Sequence, residues 1–424
     1  MSVDDVISMR RLFHLHAERG WEEFWTTAFV TSRLEALGFR LLLGADAVEE
    51  RFAMGRPGGD RLAEARKRAL AWGADEAMME RIGSWTGVVA LLDTGRPGPV
   101  TAFRFDLDAV EVGECRQKGH RPHDEGFAAL DEGVSHACGH DGHLAMGLAL
   151  ASRLVSRKES LSGRFKLLFQ PAEEGVRGGR AMTEKGHLDD VDFLFGLHLA
   201  GEFASGVVGA GCSDFLCTTK VDAFFRGVAA HAGMAPNEGR NALLAAATAV
   251  LGLHSIASHR EGASRINVGL LRAGTGRNVV PEGAELFFET RGRTSAIDRY
   301  VYERALEVLD GAARTQGVTV ESRLAGGAVD ARSHPDLVAL VAEKALAIDG
   351  IGHVEREGRI GGSEDISWMM RRVEERGGKA CYFIVGADRT AGHHQGRFDF
   401  DEAVLPRGVA LLAALAEAVG GGRG

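Results

Sequence analysis

Continuous apolar runs constrain the fold of this chain more than any other feature. A strand with one face in water alternates apolar and polar residues, whereas these runs predict strands of a sheet that is buried on both faces. A helix predicted at about residues 141–156 separates the second run from the third, and this alternation favours an α/β fold with parallel strands. The runs are GVVALLD (87–93), VTAFRFDLD (100–108), RFKLLFQ (164–170), DFLFGLHL (192–199) and ACYFIVG (380–386).

Two helical regions are predicted before the first run. Apolar residues from Leu12 to Leu34 share one helical face, and Gly38 ends the pattern. Residues 45–83 form a polar stretch rich in Arg, Glu and Ala, with a helix predicted from about 61 to 82.

A different pattern occupies the segment from about 217 to 328. Its predicted order is β-α-β-β-α-β, which is the ferredoxin-like unit. The α/β pattern resumes after residue 330, and a chain of 424 residues exceeds the size at which a single core stops growing. The sequence therefore predicts a catalytic domain of residues 1–216 and 329–424, interrupted by an inserted domain of residues 217–328.

Composition narrows the classes of function. A net charge of −9 without a Lys/Arg cluster argues against a nucleic-acid partner. The sequence shows no run of about 18 apolar residues, so no membrane span is expected, and the charged start lacks the apolar stretch of a signal peptide. Five cysteines without framework spacing indicate a reducing compartment, so we expect a cytoplasmic protein.

Residue types that bind metals or transfer protons follow several of the apolar runs. In an open α/β sheet, ligands bind beyond the carboxyl ends of the strands. Convergence of these residues on one edge of the sheet predicts a functional site. They are Asp106 and Asp108, Glu173 and Glu174, His198, and His393 with His394, together with a separate loop, HACGHDGH (136–143).

The HACGHDGH loop is a candidate metal-binding loop. Cys138 and His140 are two residues apart, so both side chains of an extended loop point the same way and can bind in one region. The alternative is a histidine-rich turn that caps a helix. His136 and His143 either bind the metal as well or orient its ligands.

The Glu173–Glu174 pair follows a proline directly after a strand, where adjacent side chains diverge. One glutamate can bind a metal while the other moves protons, as metal-assisted hydrolysis requires. The alternative is two solvated loop acids. His198 likewise has an alternative reading as a core histidine, and Asp106 and Asp108 share one face of their strand.

The motifs of this chain resemble those of the M20 metallopeptidases, specifically their amidohydrolase branch. The resemblance extends along essentially the whole chain. Within the branch, three features resemble hydrolases of p-aminobenzoyl-glutamate, and hydrolases of indole-3-acetyl-aspartate are similar to these. The features are the start RRLFHLHAERGWEEF, the extra 45–83 segment, and TTKVDA with EGASRINVG. The branch motifs, in order, are FRFDLDA, HACGHDGH, FQPAEEG, GLH, AAHAG, GRNVVP, GSED and HHQGRFDFDE.

This resemblance implies two divalent metal ions per subunit, and it favours manganese. Zinc is the alternative, because a cysteine adds a soft ligand. It implies Glu173 as the general base and Asp108 as the residue that orients a metal-bound group. The branch has a single C-terminal histidine, and counting back from FDFDE favours His394 over His393. The implied metal ligands are Cys138, His140, Glu174, His198 and His394.

For the inserted domain, the resemblance implies a lid and dimerisation role. His231, Asn278 and Arg291 match positions that contact substrate, with His231 reaching into the site of the dimer partner. The expected fold is thus a mixed, mostly parallel sheet with helices on both faces, interrupted by a ferredoxin-like α+β domain.

The implied function is cleavage of the amide bond in a small N-acyl amino acid by a metal-dependent amidohydrolase. An aromatic-acyl glutamate or aspartate, such as p-aminobenzoyl-glutamate, is the expected substrate. The alternatives are a hydrolase of indole-3-acetyl amino acids and a general N-acyl amino acid deacylase or dipeptidase. A homodimer is expected, with or without a related second subunit. The non-enzyme alternative is an inactive partner subunit, against which the intact glutamate pair counts.

Overall fold

A computed structural model describes residues 3–213, 215–358 and 361–421, apart from the side chains of residues 3 and 4. The strands are β1 (Arg40–Leu43), β2 (Val88–Asp93), β3 (Val100–Asp106), β4 (Arg164–Gln170), β5 (Phe193–Ala200), β6 (Val207–Gly209), β7 (Cys217–Arg226), β8 (Ser264–Ala273), β9 (Gly283–Gly292), β10 (Thr319–Ala328), β11 (His353–Glu355) and β12 (Lys379–Gly386). The helices are α1 (Val3–Leu15), α2 (Phe24–Ala36), α3 (Gly59–Ala71), α4 (Glu76–Ile82), α5 (Arg121–Asp124), α6 (His140–Ser156), α7 (Gly179–Glu184), α8 (Ala242–His254), α9 (Ser295–Gln316), α10 (Pro335–Leu346), α11 (Ile366–Glu375) and α12 (Leu405–Gly420).

An eight-stranded mixed sheet with the order β1-β2-β4-β3-β5-β12-β6-β11 forms the larger of two compact units. The four neighbouring strands β4, β3, β5 and β12 are mutually parallel. The predicted mixed, mostly parallel sheet is therefore confirmed. Because parallel strands end at the same edge, the segments that follow these four strands start close together. This unit comprises Met1–Asp214, Ala331–Gly361 and Asp365–Gly424.

Helices cover both faces of this sheet. An added Cβ at Gly142 of α6 would meet Leu199, and one at Gly196 would meet Ile366 of α11. Leu199 and Gly196 are an odd number of residues apart on β5, so they face opposite sides of the sheet. At Gly147, an added Cβ would lie 2.8 Å from Phe105. These glycines let α6 approach the sheet closely, which places its first turn at the shared strand edge.

The smaller unit, Phe215–Asp330 with Gly362–Glu364, contains a four-stranded antiparallel sheet. Its sheet order is β10-β7-β9-β8, and its chain order is β7-α8-β8-β9-α9-β10. The apolar sides of α8 and α9 pack on this sheet in a core of their own. The lid and dimerisation role of the 217–328 segment stays a prediction, and the predicted end points of the outer domain, residues 1 and 424, lie outside the described residues.

Two predicted helices are interrupted in the structure. The periodicity from Leu12 to Leu34 covers both α1 and α2, which a turn separates, and Trp21 in that turn has a φ of 70°. The predicted 61–82 helix is α3 followed by α4. Gly73, with a φ of 88°, ends the first, and the Asp75 side chain accepts the Met78 backbone N–H to begin the second. Apolar periodicity continued across both breaks because the paired helices pack on the same core.

A helical stretch at the C-terminus, Glu402–Gly420, is long and apolar enough to cross a membrane by length and composition. It is not an uninterrupted apolar run, because it contains Arg407 and Glu417. Within the protein, 56% of this stretch is buried, and Leu411, Leu412 and Leu415 belong to the main core. A mostly buried helix of this composition is typical of a protein core.

Candidate metal centre

The predicted site residues of the larger unit lie in segments that follow its parallel strands. Cys138 precedes α6 and His140 begins it, while the glutamate pair follows β4. His198 is on β5, and His394 is in the loop after β12. The parallel strand ends and the start of α6 thus supply every one of these side chains.

Side-chain distances show that these residues form one cluster. Cys138 Sγ lies 3.5 Å from His198 Nε2, His140 Nε2 lies 3.9 Å from Glu173 Oε2, and His394 Nε2 lies 3.2 Å from Glu174 Oε1. Three overlapping groups each offer ligand atoms within 4.8 Å of one another. These groups are Cys138/His140/His198, His140/Glu173/Glu174 and Cys138/Glu174/His394.

The histidine rings of the cluster are oriented for metal binding. His140 Nδ1–H donates to the Asp108 carbonyl at 2.8 Å, and His198 Nδ1–H donates to the Leu199 carbonyl at 2.7 Å. In a neutral imidazole, such bonds leave Nε2 unprotonated, as a metal ligand must be. The Nε2 atom of His140 is buried and has no hydrogen-bond partner among the described residues. A cation between these side chains would satisfy it.

Electrostatics in the cluster favour a positive charge. Hydrogen bonds to Cys138 and Glu174 raise the pKa of His394 to about 10. Burial opposes ionisation of Glu174, but the neighbouring His394 ring and His140 lower its pKa below the usual range. A bound cation supplies the same positive charge, so this mixed set of thiol, imidazole and carboxylate donors fits divalent metal ions.

The two C-terminal histidines occupy different environments. His394, with a φ of 60°, adopts the left-handed backbone conformation and points toward Cys138 and Glu174. The ring of His393 lies 4.9 Å from the Phe398 ring and 5.4 Å from the His198 ring, and burial lowers its pKa to about 4. This placement favours His394 as the ligand, although the assignment stays a prediction.

Glu173 and Glu174 lie on a strained loop after β4. Ala172 and Val176 have φ values of 52° and 58°, a region that side chains with a Cβ rarely adopt. The Asp108 carboxylate accepts the backbone N–H groups of Glu173 at 3.0 Å and Glu174 at 2.9 Å. Asp108 thus fixes the backbone that carries both glutamates, and its role toward a metal-bound group stays a prediction.

His143 and His136, the other histidines of the loop motif, are both buried. His143 Nδ1–H donates to Asp106 at 3.0 Å, and its Nε2 accepts the Leu199 N–H at 3.0 Å. Both ring nitrogens are engaged, which supports an orienting role. Burial lowers the pKa of His136 to about 3, and its ring lies 6.3 Å from that of His14.

Three buried ionisable residues near the site were not predicted from the sequence. Glu23 accepts the Ala172 N–H at 2.7 Å, and Asp365 accepts the Gly179 N–H at 2.7 Å while pairing with Arg104 at 3.0 Å. Arg104 interrupts an apolar run, which is a signal of a buried partner. Glu23 and Asp365 give no comparable signal, because their backbone partners are 149 and 186 residues away in sequence.

The remaining predicted residues lie in the smaller unit. His231 is exposed, and its Nδ1 accepts the N–H groups of Gly233 at 3.1 Å and Met234 at 3.0 Å. The ring therefore carries its proton on Nε2, which is a donor. Asn278 lies beside it, since the Asn278 carbonyl accepts the N–H of the residue after His231. Arg291, on β9, pairs with Glu289.

The protein has a mixed β-sheet flanked by helices, with cysteine, histidine and glutamate side chains clustered at the strand ends. This arrangement is typical of metal-dependent hydrolases. The chain belongs to peptidase family M20/M25/M40, which matches residues 102–418. The family is metal-dependent, and the chain is an amidohydrolase of this family.

Three relatives support this membership over nearly the whole chain. Indole-3-acetyl-aspartic acid hydrolase of Enterobacter agglomerans is 49% identical, covering 97% of this chain and 95% of its own. One of the subunits of p-aminobenzoyl-glutamate hydrolase of Escherichia coli K12 is 48% identical, covering 96% and 94%. The crystal structure of the aminobenzoyl-glutamate utilization protein from Klebsiella pneumoniae is 43% identical with a TM-score of 0.86, covering 99% and 97%. The expected resemblance to hydrolases of p-aminobenzoyl-glutamate is confirmed.

Proposed function

We propose that the chain cleaves the amide bond between an aromatic acyl group and glutamate or aspartate, with p-aminobenzoyl-glutamate as the first candidate substrate. The observation that carries this proposal is the pair of relatives at 48% and 49% identity, whose names both describe an aromatic acyl group joined to an acidic amino acid. The relative named for indole-3-acetyl-aspartic acid makes that compound the second candidate.

Cys138, His140, Glu174, His198 and His394 would hold two divalent ions, which we propose to be manganese, with zinc as the alternative. When bound, such ions polarise the scissile carbonyl and lower the pKa of water. The thiol of Cys138 favours zinc, whereas the histidine and glutamate donors suit either metal. The resemblance to hydrolases of p-aminobenzoyl-glutamate favours manganese.

Proton transfer is assigned to Glu173. Its neighbour Glu174 faces His394, while Glu173 lies 3.9 Å from His140 Nε2, beside the ligand atoms. A carboxylate at this position can accept a proton from the attacking water and return it to the leaving amine. Asp108 holds the backbone of both glutamates in place.

We assign to His231 the stabilisation of the negative charge that develops on the substrate carbonyl oxygen. Its Nδ1 accepts two backbone N–H groups, so Nε2–H is the donor that an oxyanion needs. We propose that His231 acts in the site of the dimer partner, with Asn278 and Arg291 contacting substrate. The assembly would be a homodimer that forms through the lid and dimerisation domain, residues 217–328. This domain is inserted into the outer domain of residues 1–216 and 329–424.

A second, related protein chain is a further candidate partner, because the Escherichia coli relative is named as a subunit of a hydrolase. We propose that the homodimer is active without it, since the chain retains both glutamates and the whole predicted ligand set. The proposed location is the cytoplasm, because the five cysteines are free thiols.

A substrate panel tests the function. The purified chain, loaded with manganese or with zinc, is assayed on p-aminobenzoyl-glutamate, indole-3-acetyl-aspartate, N-acetyl-glutamate and a dipeptide. We expect kcat/KM for the aromatic substrates to exceed that for the others by roughly 100-fold. Equal rates on N-acetyl-glutamate or the dipeptide would indicate a general deacylase or dipeptidase. No hydrolysis of any substrate by the metal-loaded chain would indicate an inactive partner subunit.

A further inference from the structure

The extra segment at 45–83 contacts the loop that carries the two glutamates. Within it, residues 47–56 (the 47–56 segment) run alongside residues 172–187. Glu49 N–H donates to the Ala181 carbonyl at 2.9 Å, and Met54 N–H donates to the Arg177 carbonyl at 3.4 Å. His187 Nε2–H donates to a carbonyl at the start of the segment at 3.1 Å. Backbone hydrogen bonds thus join the two regions at several points.

Arg177 connects the segment directly to the Glu174 backbone. Its Nε–H donates to the Glu174 carbonyl at 2.7 Å, and its Nη1–H donates to the Gly55 carbonyl at 3.3 Å. One rigid guanidinium therefore bonds both the 172–178 loop and the 47–56 segment. The fixed fork of donors in arginine suits this geometry, whereas lysine can supply only a point donor.

Trp21 holds the other side of the 47–56 segment. Its indole N–H donates to the Met54 carbonyl at 2.8 Å, and the ring packs edge-on against Trp85 at 5.8 Å. Both tryptophans and Met54 are buried. An added Cβ at the adjacent Gly20 would lie 2.9 Å from the Ala172 Cα. The turn before α2, the segment and the loop are therefore tightly packed together.

The 172–178 loop needs such support because its backbone is strained. Ala172 and Val176 both have positive φ values, and such residues persist only when the surrounding structure over-determines them. Asp108 and Glu23 bind the loop from one side. The Arg177 contact to Gly55 of the 47–56 segment adds a constraint from outside the loop.

We propose that the 47–56 segment, acting through Arg177, holds the strained 172–178 loop in the conformation that presents Glu173 and Glu174 to the metals. Arg177 is a positioning residue, because it bonds the Glu174 carbonyl and not the carboxylate. The proposal rests on the proposed metal and base roles of the two glutamates. It assigns a function to a segment that otherwise contributes no predicted site residue.

Manganese titration of the metal-depleted chain tests this proposal, with Arg177→Met as the main variant. We expect manganese affinity to fall by about 10–100-fold, the usual loss when a residue that orients a metal ligand is removed. At saturating manganese, kcat should fall while KM changes by less than about twofold. Arg177→Lys should give an intermediate loss. Trp21→Phe, which removes one hydrogen bond to the segment, should give a smaller loss in the same direction.

Arg96→Met is the matched control, because half-buried Arg96 also donates to two backbone carbonyls, those of Leu161 and Lys158, away from the loop. It should bind manganese like wild type. Unchanged affinity and kcat in Arg177→Met, or an equal loss in Arg96→Met, would overturn the proposal. The titration needs no substrate. A wild-type chain that binds manganese but cleaves no amide would therefore contradict the proposed function while the affinities still decide the role of Arg177.

Discussion

The metal cluster of the larger unit and the His231 loop of the smaller unit are held in place in different ways. Cys138 and His140 are buried, and the far side of the His140 ring is fixed by a hydrogen bond to the Asp108 carbonyl. His231 is exposed, and two N–H groups of its own loop orient its ring. Nearby Met234 is 83% exposed.

This contrast bears on whether each group of residues acts within one subunit. The metal cluster is preorganised within one unit, so substitutions there should act within one subunit. The His231 loop is exposed, which agrees with the proposed action on a dimer partner.

Within the metal cluster, the largest expected effect is that of Glu173→Ala. Loss of a general base should lower kcat by about 10²–10⁴ while metal content stays near wild type. Glu174→Ala is the matched contrast, because the same truncation one residue later should release metal. Activity assays with metal analysis check both variants. Parallel loss of metal and activity in Glu173→Ala would show that the two glutamates are assigned the wrong way round.

Metal ligation by the C-terminal loop gives the next largest effect. His394→Ala should weaken metal affinity by roughly 10–100-fold, whereas His393→Ala should change it much less, because His393 packs on Phe398. Cys138→Ser should weaken metal binding more than it lowers thermal stability, since the domain has its own core. Metal titration and thermal unfolding measure both quantities. A larger loss of metal affinity in His393→Ala than in His394→Ala would reverse the assignment.

Acid stability should depend on Glu114, a buried carboxylate of the larger unit. Burial opposes ionisation of Glu114, but hydrogen bonds from His14 and the Ala129 N–H lower its pKa to about 2. Its stabilising contribution is therefore present above about pH 4.5 and is lost as the pH falls toward 2. Glu114→Gln should lower the free energy of unfolding by about 2 kcal/mol at pH 7 and flatten its decline in acid. Denaturant unfolding across this range tests it, with exposed Glu159→Gln as the control.

A further test is complementation between the metal cluster and the His231 loop. His231→Ala and Glu173→Ala should each be nearly inactive as homodimers. Mixed dimers should regain up to about half of the wild-type activity, because one of their two sites then holds both intact residues.

Subunit exchange must be verified for this mixture, for example by native mass spectrometry of differently tagged chains. If exchange occurs without recovered activity, His231 acts within its own subunit. The comparison between a self-contained cluster and a loop that acts on a partner would then fail.

Much of the fold followed from local sequence patterns. The apolar runs became β2, β3, β4, β5 and β12 because a strand buried on both faces needs no polar positions. Short strands such as β6 and β11, with three residues each, were missed because so few residues carry no period. Helix breaks were missed where apolar periodicity continued across Gly73 and Trp21.

The candidate site was predictable only in its motif residues. Cys138 and His140 are close in sequence, and their spacing limits where their side chains can point. The contacts that hold the Glu173–Glu174 backbone join distant segments, such as Glu23 to Ala172 and Arg177 to Gly55. No local pattern encodes such pairings, so the tertiary structure was required to find them.

Metal stoichiometry linked to activity tests the central claim most directly. The chain is stripped with a chelator and titrated with manganese while hydrolysis of p-aminobenzoyl-glutamate is followed. We predict negligible activity without metal, and activity that reaches its maximum when two ions are bound per chain. Full activity in the stripped protein, or saturation of activity at a single ion, would contradict a dinuclear centre built from Cys138, His140, Glu174, His198 and His394.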